Sequence, residues 1–189
     1  MRLEPIDRPA SLLGRLMSFA MRRRLGKAIT PARVIYNRVP RMWNVSWALL
    51  RLQLQGLRLD PELRFLVQLR AAMLNRCEFC QDIAKAFAVQ QRIGLARFRD
   101  LDGWQGSSVW SDRERAVLAF VDEATRHKTV SDATFAGLRK HFDEREIVEI
   151  TVLNAIENFY NLLNLPLEIE SDRLLEIAQS KVMRSSPHR

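Results

Sequence analysis

The 189-residue sequence is sparing in the residues that interrupt helices, with 7 Gly and 7 Pro, and it shows almost no alternating polar–apolar runs. That pattern excludes a turn-rich β-sandwich or barrel and leaves an all-α chain. No apolar run approaches the roughly 20 residues needed to cross a bilayer. Arg15 and Arg22-Arg23-Arg24 break up the short apolar stretch near the N-terminus, so no signal peptide is expected and a cytoplasmic protein is. Histidine is scarce too. His127, His141 and His188 stand at no ligand-like spacing from the cysteines, which argues against structural zinc, and no other cofactor is called for. Cysteine is scarcer still, with 2 residues, too few for a disulfide framework.

Those two cysteines stand together as Cys77-Glu78-Phe79-Cys80. Upstream, Asp60-Pro61-Glu62 reads as a helix start, with a capping carboxylate, proline in the first position and an acid near the positive dipole end. The spacing of Leu63, Leu66, Val67, Leu69, Arg70 and Met73 predicts a mostly buried helix to about Leu74. Asn75 then reads as an N-cap, with Glu78 three residues on closing a capping box, so that Cys77 falls at the second helical position. Unpaired amides and the helix dipole there favour a thiolate. Sulfurs at i and i+3 share a face and can bond reversibly, so Cys77 and Cys80 are the candidate catalytic pair. The plainer reading is two inert, half-buried thiols.

The chain's net charge of +8 is uneven. Residues 1 to 58 hold twelve Arg and Lys against two Asp and Glu, and the remainder is slightly acidic. Leu12 to Lys27 is therefore either a basic amphipathic helix for nucleic acid or lipid, or a core-packing helix with a solvated arginine face. Without interleaved aromatics the second reading is preferred, and no nucleic-acid partner is expected. Further helices are expected at about 11–25, 31–38, 41–55, 76–93, 111–127, 131–141, 143–163 and 171–183, with the clearest loop at 102–108. Residues 1–10 and 184–189 read as loose ends of one helical domain, whose CxxC core spans about 57–102. Trp43, Trp47, Trp104 and Trp110 read as packing or interface residues.

Sliding the chain by 83 residues sets Asp60 on Asp143, Ala72 on Ala155 and Asn75 on Asn158, an internal echo consistent with a pseudo-repeat. The cysteine positions become Tyr160 and Leu163, which leaves any thiol chemistry in the first copy. Asn158 and Asn161 would then cap or hydrogen-bond near the dithiol helix.

The string Leu59-Asp60-Pro61-Glu62-Leu63-Arg64, the CxxC after Asn75-Arg76 and the Gly94 that ends its helix resemble the carboxymuconolactone decarboxylase superfamily, most closely its alkylhydroperoxidase D-like branch. Ser111 to Ala116, Phe142 to Glu149 and Asn158 to Asn161 resemble the second half of its longer members. The resemblance covers about residues 30–170. It implies an all-helical bundle, a homo-oligomer of trimer or hexamer type, and an antioxidant peroxidase or disulfide-reducing oxidoreductase. It further implies Cys80 as peroxidatic and Cys77 as resolving residue, re-reduced by a dithiol donor such as a lipoylated protein. The branch's proton-relay glutamate and histidine fall here on Phe65 and Ala84, so both groups are missing. Glu62, one turn away, is a candidate substitute, and Lys85 a candidate electrostatic support for a thiolate. Two other readings stay open: a non-redox lactone decarboxylase-like enzyme and a helical module whose site has lapsed.

Overall fold

The structure, a computed structural model, describes residues 1–185, with side chains through Arg184. Among them are eight α-helices and no strand: α1 (Leu12–Leu25), α2 (Met42–Gln55), α3 (Pro61–Leu74), α4 (Glu78–Gln90), α5 (Asp112–His127), α6 (Asp132–Arg139), α7 (Glu144–Asn164) and α8 (Leu174–Ser185). A π-helical turn at Ala32–Tyr36 and short 3-10 turns fill the connections. The all-α helical bundle read from the sequence is the fold observed.

Local chemistry sets the boundaries. Asp60 accepts the Leu63 N–H at 2.8 Å with Pro61 opening α3, and Ser111–Glu114 and Asp143–Glu146 close reciprocal capping boxes on α5 and α7. The central helix α3 packs against α4, α5 and α7, and α4 packs against α8. One apolar core lies among α3, α5 and α7, built on Leu66, Leu69, Leu118 and Leu153. A second, with Val34, Trp43, Phe79 and Leu174, surrounds the cysteines. Between α4 and α8, Asp82 accepts the N–H groups of Leu174 and Leu175 at 2.8 and 2.9 Å and the Ser171 hydroxyl at 3.0 Å. This carboxylate ties the last helix to the CxxC helix.

The echo of 83 residues has a physical counterpart. Asp60 and Asp143 cap α3 and α7 in the same way, and Asn75 donates to Asn158 at 3.0 Å. Arg113 bridges the two starts, 3.5 Å from Asp60 and 3.2 Å from Glu146.

Four expectations change. Residues 1–10 are held down: the Arg2 N–H reaches the Leu167 carbonyl, the Ile6 N–H reaches Arg33, and Asp7 pairs with Arg33 at 2.7 Å. At the other end, α8 runs through Arg184 and Ser185, while 186–189, with His188, lie outside the described residues. Helix α1 does not sink its leucines into the core. It seats Gly14, Ser18 and Leu25 instead and leaves Leu12 81% and Phe19 59% exposed, because Gly14 lies against Pro9 and Asn37 where bulkier side chains would clash. The 102–108 loop winds into 3-10 turns over Leu101–Gly106, since Arg115 gathers the carbonyls of Trp104, Gln105, Ser107 and Trp110. The tryptophans divide between packing and surface: Trp43, Trp104 and Trp110 are buried, and Trp47 is exposed at 56%.

Arg70 is buried on α3 and meets Asp122 of α5 through both carboxylate oxygens, at 2.5 and 2.8 Å, with Asp102 at 3.0 Å. Removing Arg70 leaves the buried Asp122 with only the exposed Arg126, 3.2 Å away, as a counter-ion. Arg70→Ala is expected to lower unfolding free energy by about 3–5 kcal/mol in urea titration, and Arg70→Met with Asp122→Leu to recover most of that loss.

Candidate active site

The chain leaves the helical path between α3 and α4. Asn75 ends α3, Arg76 takes a left-handed conformation at φ 56°, and α4 begins at Glu78. Cys77, not Asn75, is the N-cap: its Sγ accepts the Cys80 N–H at 3.4 Å, while its own N–H reaches the Ala72 carbonyl at 2.9 Å. The expected cap at Asn75 fails because that side chain is drawn into the interior, donating to Asn158 and to Asn161, the latter at 2.7 Å. Arg76 absorbs the change in direction, at a cost of about 1 kcal/mol for a non-glycine residue.

Cys77 and Cys80 are joined in a disulfide, with Cα atoms 5.3 Å apart. Both are buried, but their surroundings differ. Cys77 is fully enclosed, whereas Cys80 forms part of the wall of a cavity of about 410 Å³. This cavity lies among α1, α2, α3, α4 and α7. Its lining is mostly hydrocarbon, with Trp47, Leu50, Leu54, Ile83 and Phe87 prominent.

The two vacant relay positions, Phe65 and Ala84, also line the cavity and add only apolar surface. Phe65 stacks edge-on against Phe98, with ring centres 4.7 Å apart. Neither proposed substitute reaches the space. Glu62 is on the surface and paired with Arg97 at 3.0 Å, outside the wall to which its neighbours Pro61 and Arg64 belong, and Lys85 is not part of the wall either. His127 and His141 are exposed at helix ends elsewhere.

An acid does enter the cavity, from α7. Glu157 is buried, accepts the Asn161 amide at 2.6 Å and forms part of the same wall as Cys80. Burial pushes its carboxyl up to about 7, outweighing the Asn161 hydrogen bond that favours ionisation. One turn past Asn161, the Asn164 amide donates to the Cys80 sulfur at 3.5 Å. Tyr160 joins them, its phenol pushed up by burial, with Tyr36 and Glu157 adding to the shift. The sequence reading passed over Glu157 and Asn164. The signal was there: Asn154, Glu157, Asn158, Asn161 and Asn164 recur at three- and four-residue steps, a polar stripe along a helix whose other face is core.

An all-helical bundle with a CxxC pair at a helix start, beside a carboxyl-bearing cavity, defines a class of dithiol-bearing helical proteins. The sequence pattern of the carboxymuconolactone decarboxylase family matches residues 33–123. The chain is also 30% identical over 184 residues, 96% of its length and 100% of the relative's, to the uncharacterized protein YnjA of Escherichia coli. It belongs to the carboxymuconolactone decarboxylase family. In fold it is similar to a protein of unknown function from Agrobacterium tumefaciens described as a candidate antioxidant defence protein AhpD, at TM-score 0.67 and 28% identity, covering 74% of this chain and 97% of that one. The debrominase Bmp8 shares the fold at TM-score 0.77 and 17% identity, covering 94% and 96%.

Glu157 makes a measurable demand on the fold. Its carboxyl holds a proton more tightly when folded, so it contributes stability at pH below about 4.5 that is lost as pH rises to about 7. Glu157→Gln lacks this titration. Between pH 5 and 8 the wild type is expected to lose on the order of 3 kcal/mol relative to that variant, read by urea denaturation at each pH.

Proposed function

We propose that this chain is a thiol-dependent oxidoreductase that reduces hydroperoxides, with Cys80 attacking substrate, Cys77 resolving, and Glu157 supplying the proton that the family's glutamate and histidine supply elsewhere. The observation that carries the reading is that one sulfur of the pair and a buried acid share a single cavity.

The cycle runs from the reduced pair. The Cys80 thiolate, favoured by the positive end of α4 and by the Asn164 amide, attacks the distal oxygen of ROOH. The O–O bond breaks, Cys80 becomes a sulfenic acid and RO⁻ departs. Protonated Glu157 gives its proton to RO⁻, so ROH leaves and a carboxylate remains. Cys77 then attacks the Cys80 sulfur, the S–O bond breaks, and hydroxide leaves with the Cys77 proton as water. An external dithiol reduces the resulting disulfide by attack at Cys80, since Cys77 is sealed, and the released Cys77 thiolate rests against the Cys80 N–H. Of the donor's two protons, one resets Cys77 as the thiol and the other, passed through solvent, resets Glu157, which leaves Cys80 as the thiolate that began the cycle.

A carboxyl with an affinity for its proton centred near pH 7 suits this role, because it is half-charged where it must both give and regain a proton. The homo-oligomer belongs to the same proposal: the outward Leu12, Leu16 and Phe19 of α1 form an apolar strip suited to another copy. The donor proposed is a protein-borne dithiol narrow enough to enter the cavity, a lipoyl group being one such chemistry.

In a stopped-flow assay with cumene hydroperoxide, Cys80→Ser is expected to abolish peroxide consumption and Cys77→Ser to stop after one equivalent. Glu157→Gln should slow the peroxide step about 10²-fold and erase the decline in rate that the wild type shows as pH rises through about 7. Undiminished turnover by Cys80→Ser would overturn the proposal.

A further inference from the structure

The cavity extends beyond Cys80, and its wall holds a half-buried cation, Arg64, with no counter-ion among the described residues. Arg64 sits on α3, one residue before Phe65. Its Nη1 donates to the Gln53 carbonyl at 2.7 Å, but its Nε is buried with no hydrogen-bond partner, and its Nη2 has none among the described residues. The neighbouring carboxylates are engaged elsewhere, Asp60 by Arg113 and Glu62 by Arg97. Gln68 donates its amide N–H to Gln53 at 2.5 Å, and its Oε1 makes no hydrogen bond to Arg64.

A buried donor left unpaired is costly, on the order of 1–3 kcal/mol, and calls for a ligand. The unpartnered Nε and Nη2 form one edge of the guanidinium, the flat two-donor fork that matches a carboxylate; the Nε is covered, so a carboxylate that engages both donors must part the side chains over it. Its position relative to the sulfurs follows from helix geometry. Arg64 is eight residues before Ala72, whose carbonyl holds the Cys77 N–H, which makes about 12 Å along the α3 axis. Long helical side chains lean toward the N-terminus, which carries the guanidinium further from the sulfur. Between the two ends the wall is hydrocarbon from Leu50, Leu54, Phe65 and Phe87.

We propose that Arg64 is an anion subsite for an elongated apolar substrate that ends in a carboxylate, held with its reactive group at Cys80. For what happens at Cys80 this rests on the thiol-redox reading; the binding itself does not. Arg24 also lines the cavity but is exposed, where a cation contributes little to binding. Arg64 therefore selects carboxylated hydroperoxides over neutral ones of equal length.

The test separates binding from turnover. Protein with its disulfide intact is titrated with decanoate and with 1-decanol, followed by calorimetry and by tryptophan fluorescence, to which Trp47 in the wall contributes. Wild type should bind decanoate at least about tenfold more tightly than the alcohol, and Arg64→Gln should weaken decanoate about 10- to 100-fold without changing the alcohol. Arg64→Lys, which keeps charge but not the fork, should fall between, and Arg24→Gln should bind decanoate like wild type. Equal affinity of wild type for acid and alcohol, full decanoate affinity in Arg64→Gln, or a loss that follows Arg24 would each overturn the subsite. Should Arg64→Gln fail to fold by circular dichroism, the wild-type preference and the Arg64→Lys affinity decide the matter. In turnover, a fatty-acid hydroperoxide should exceed its methyl ester in kcat/KM, a ratio that collapses toward one in Arg64→Lys. Selective decanoate binding without turnover of any hydroperoxide would refute the redox reading alone.

Discussion

The site depends on a stitch between amides at the end of α3. Asn75 donates to Asn158 and Asn161 at 3.0 and 2.7 Å, and so fixes α7 against the short break that starts the CxxC helix. Asn161 in turn holds Glu157, and Asn164, one turn on, meets the Cys80 sulfur. Each of these amides is wholly or partly withdrawn from water, where an unmet polar group is expensive, so the register of α7 against α4 is set tightly. A shift of one residue along α7 would turn the acid and the sulfur-binding amide away from the cavity together.

This arrangement divides the chemistry between the two echoing segments. The first brings the sulfurs, and the second, whose equivalent positions are Tyr160 and Leu163, brings an acid and amides instead. The family match ends at residue 123, ahead of Glu157. Membership in the family therefore says nothing about Glu157, the proton source proposed above, which lies beyond the shared pattern. The empty relay positions at Phe65 and Ala84 make sense in that light: the wall they form is apolar, in keeping with the burial that raises the affinity of Glu157 for its proton.

Much of the frame was legible in the sequence because it is written in local rules. Asp60, Ser111 and Asp143 cap helices as their spacing requires, and the 83-residue echo marks two helices that do meet. What local rules miss is where a side chain finds a better partner across the fold. Asn75 has the makings of an N-cap, yet tertiary amides outbid the first turn of α4 and Cys77 takes the cap. The helix from Leu12 reads as packing its apolar side into the core, but Gly14 and Ser18 are the ones small enough to seat α1, and Leu12 and Leu16 face outward. Glu157 looks like any surface glutamate until α7 is known to be covered on that side.

The enclosure of Cys77 gives the sulfur pair a front and a back. Reagents arriving through the cavity meet Cys80 first, so irreversible over-oxidation or alkylation would fall on one known atom, and the hidden partner would be spared. A molecule too broad for the cavity touches neither. Selectivity against chemical damage thus comes from shape, without a second protein to guard the thiols.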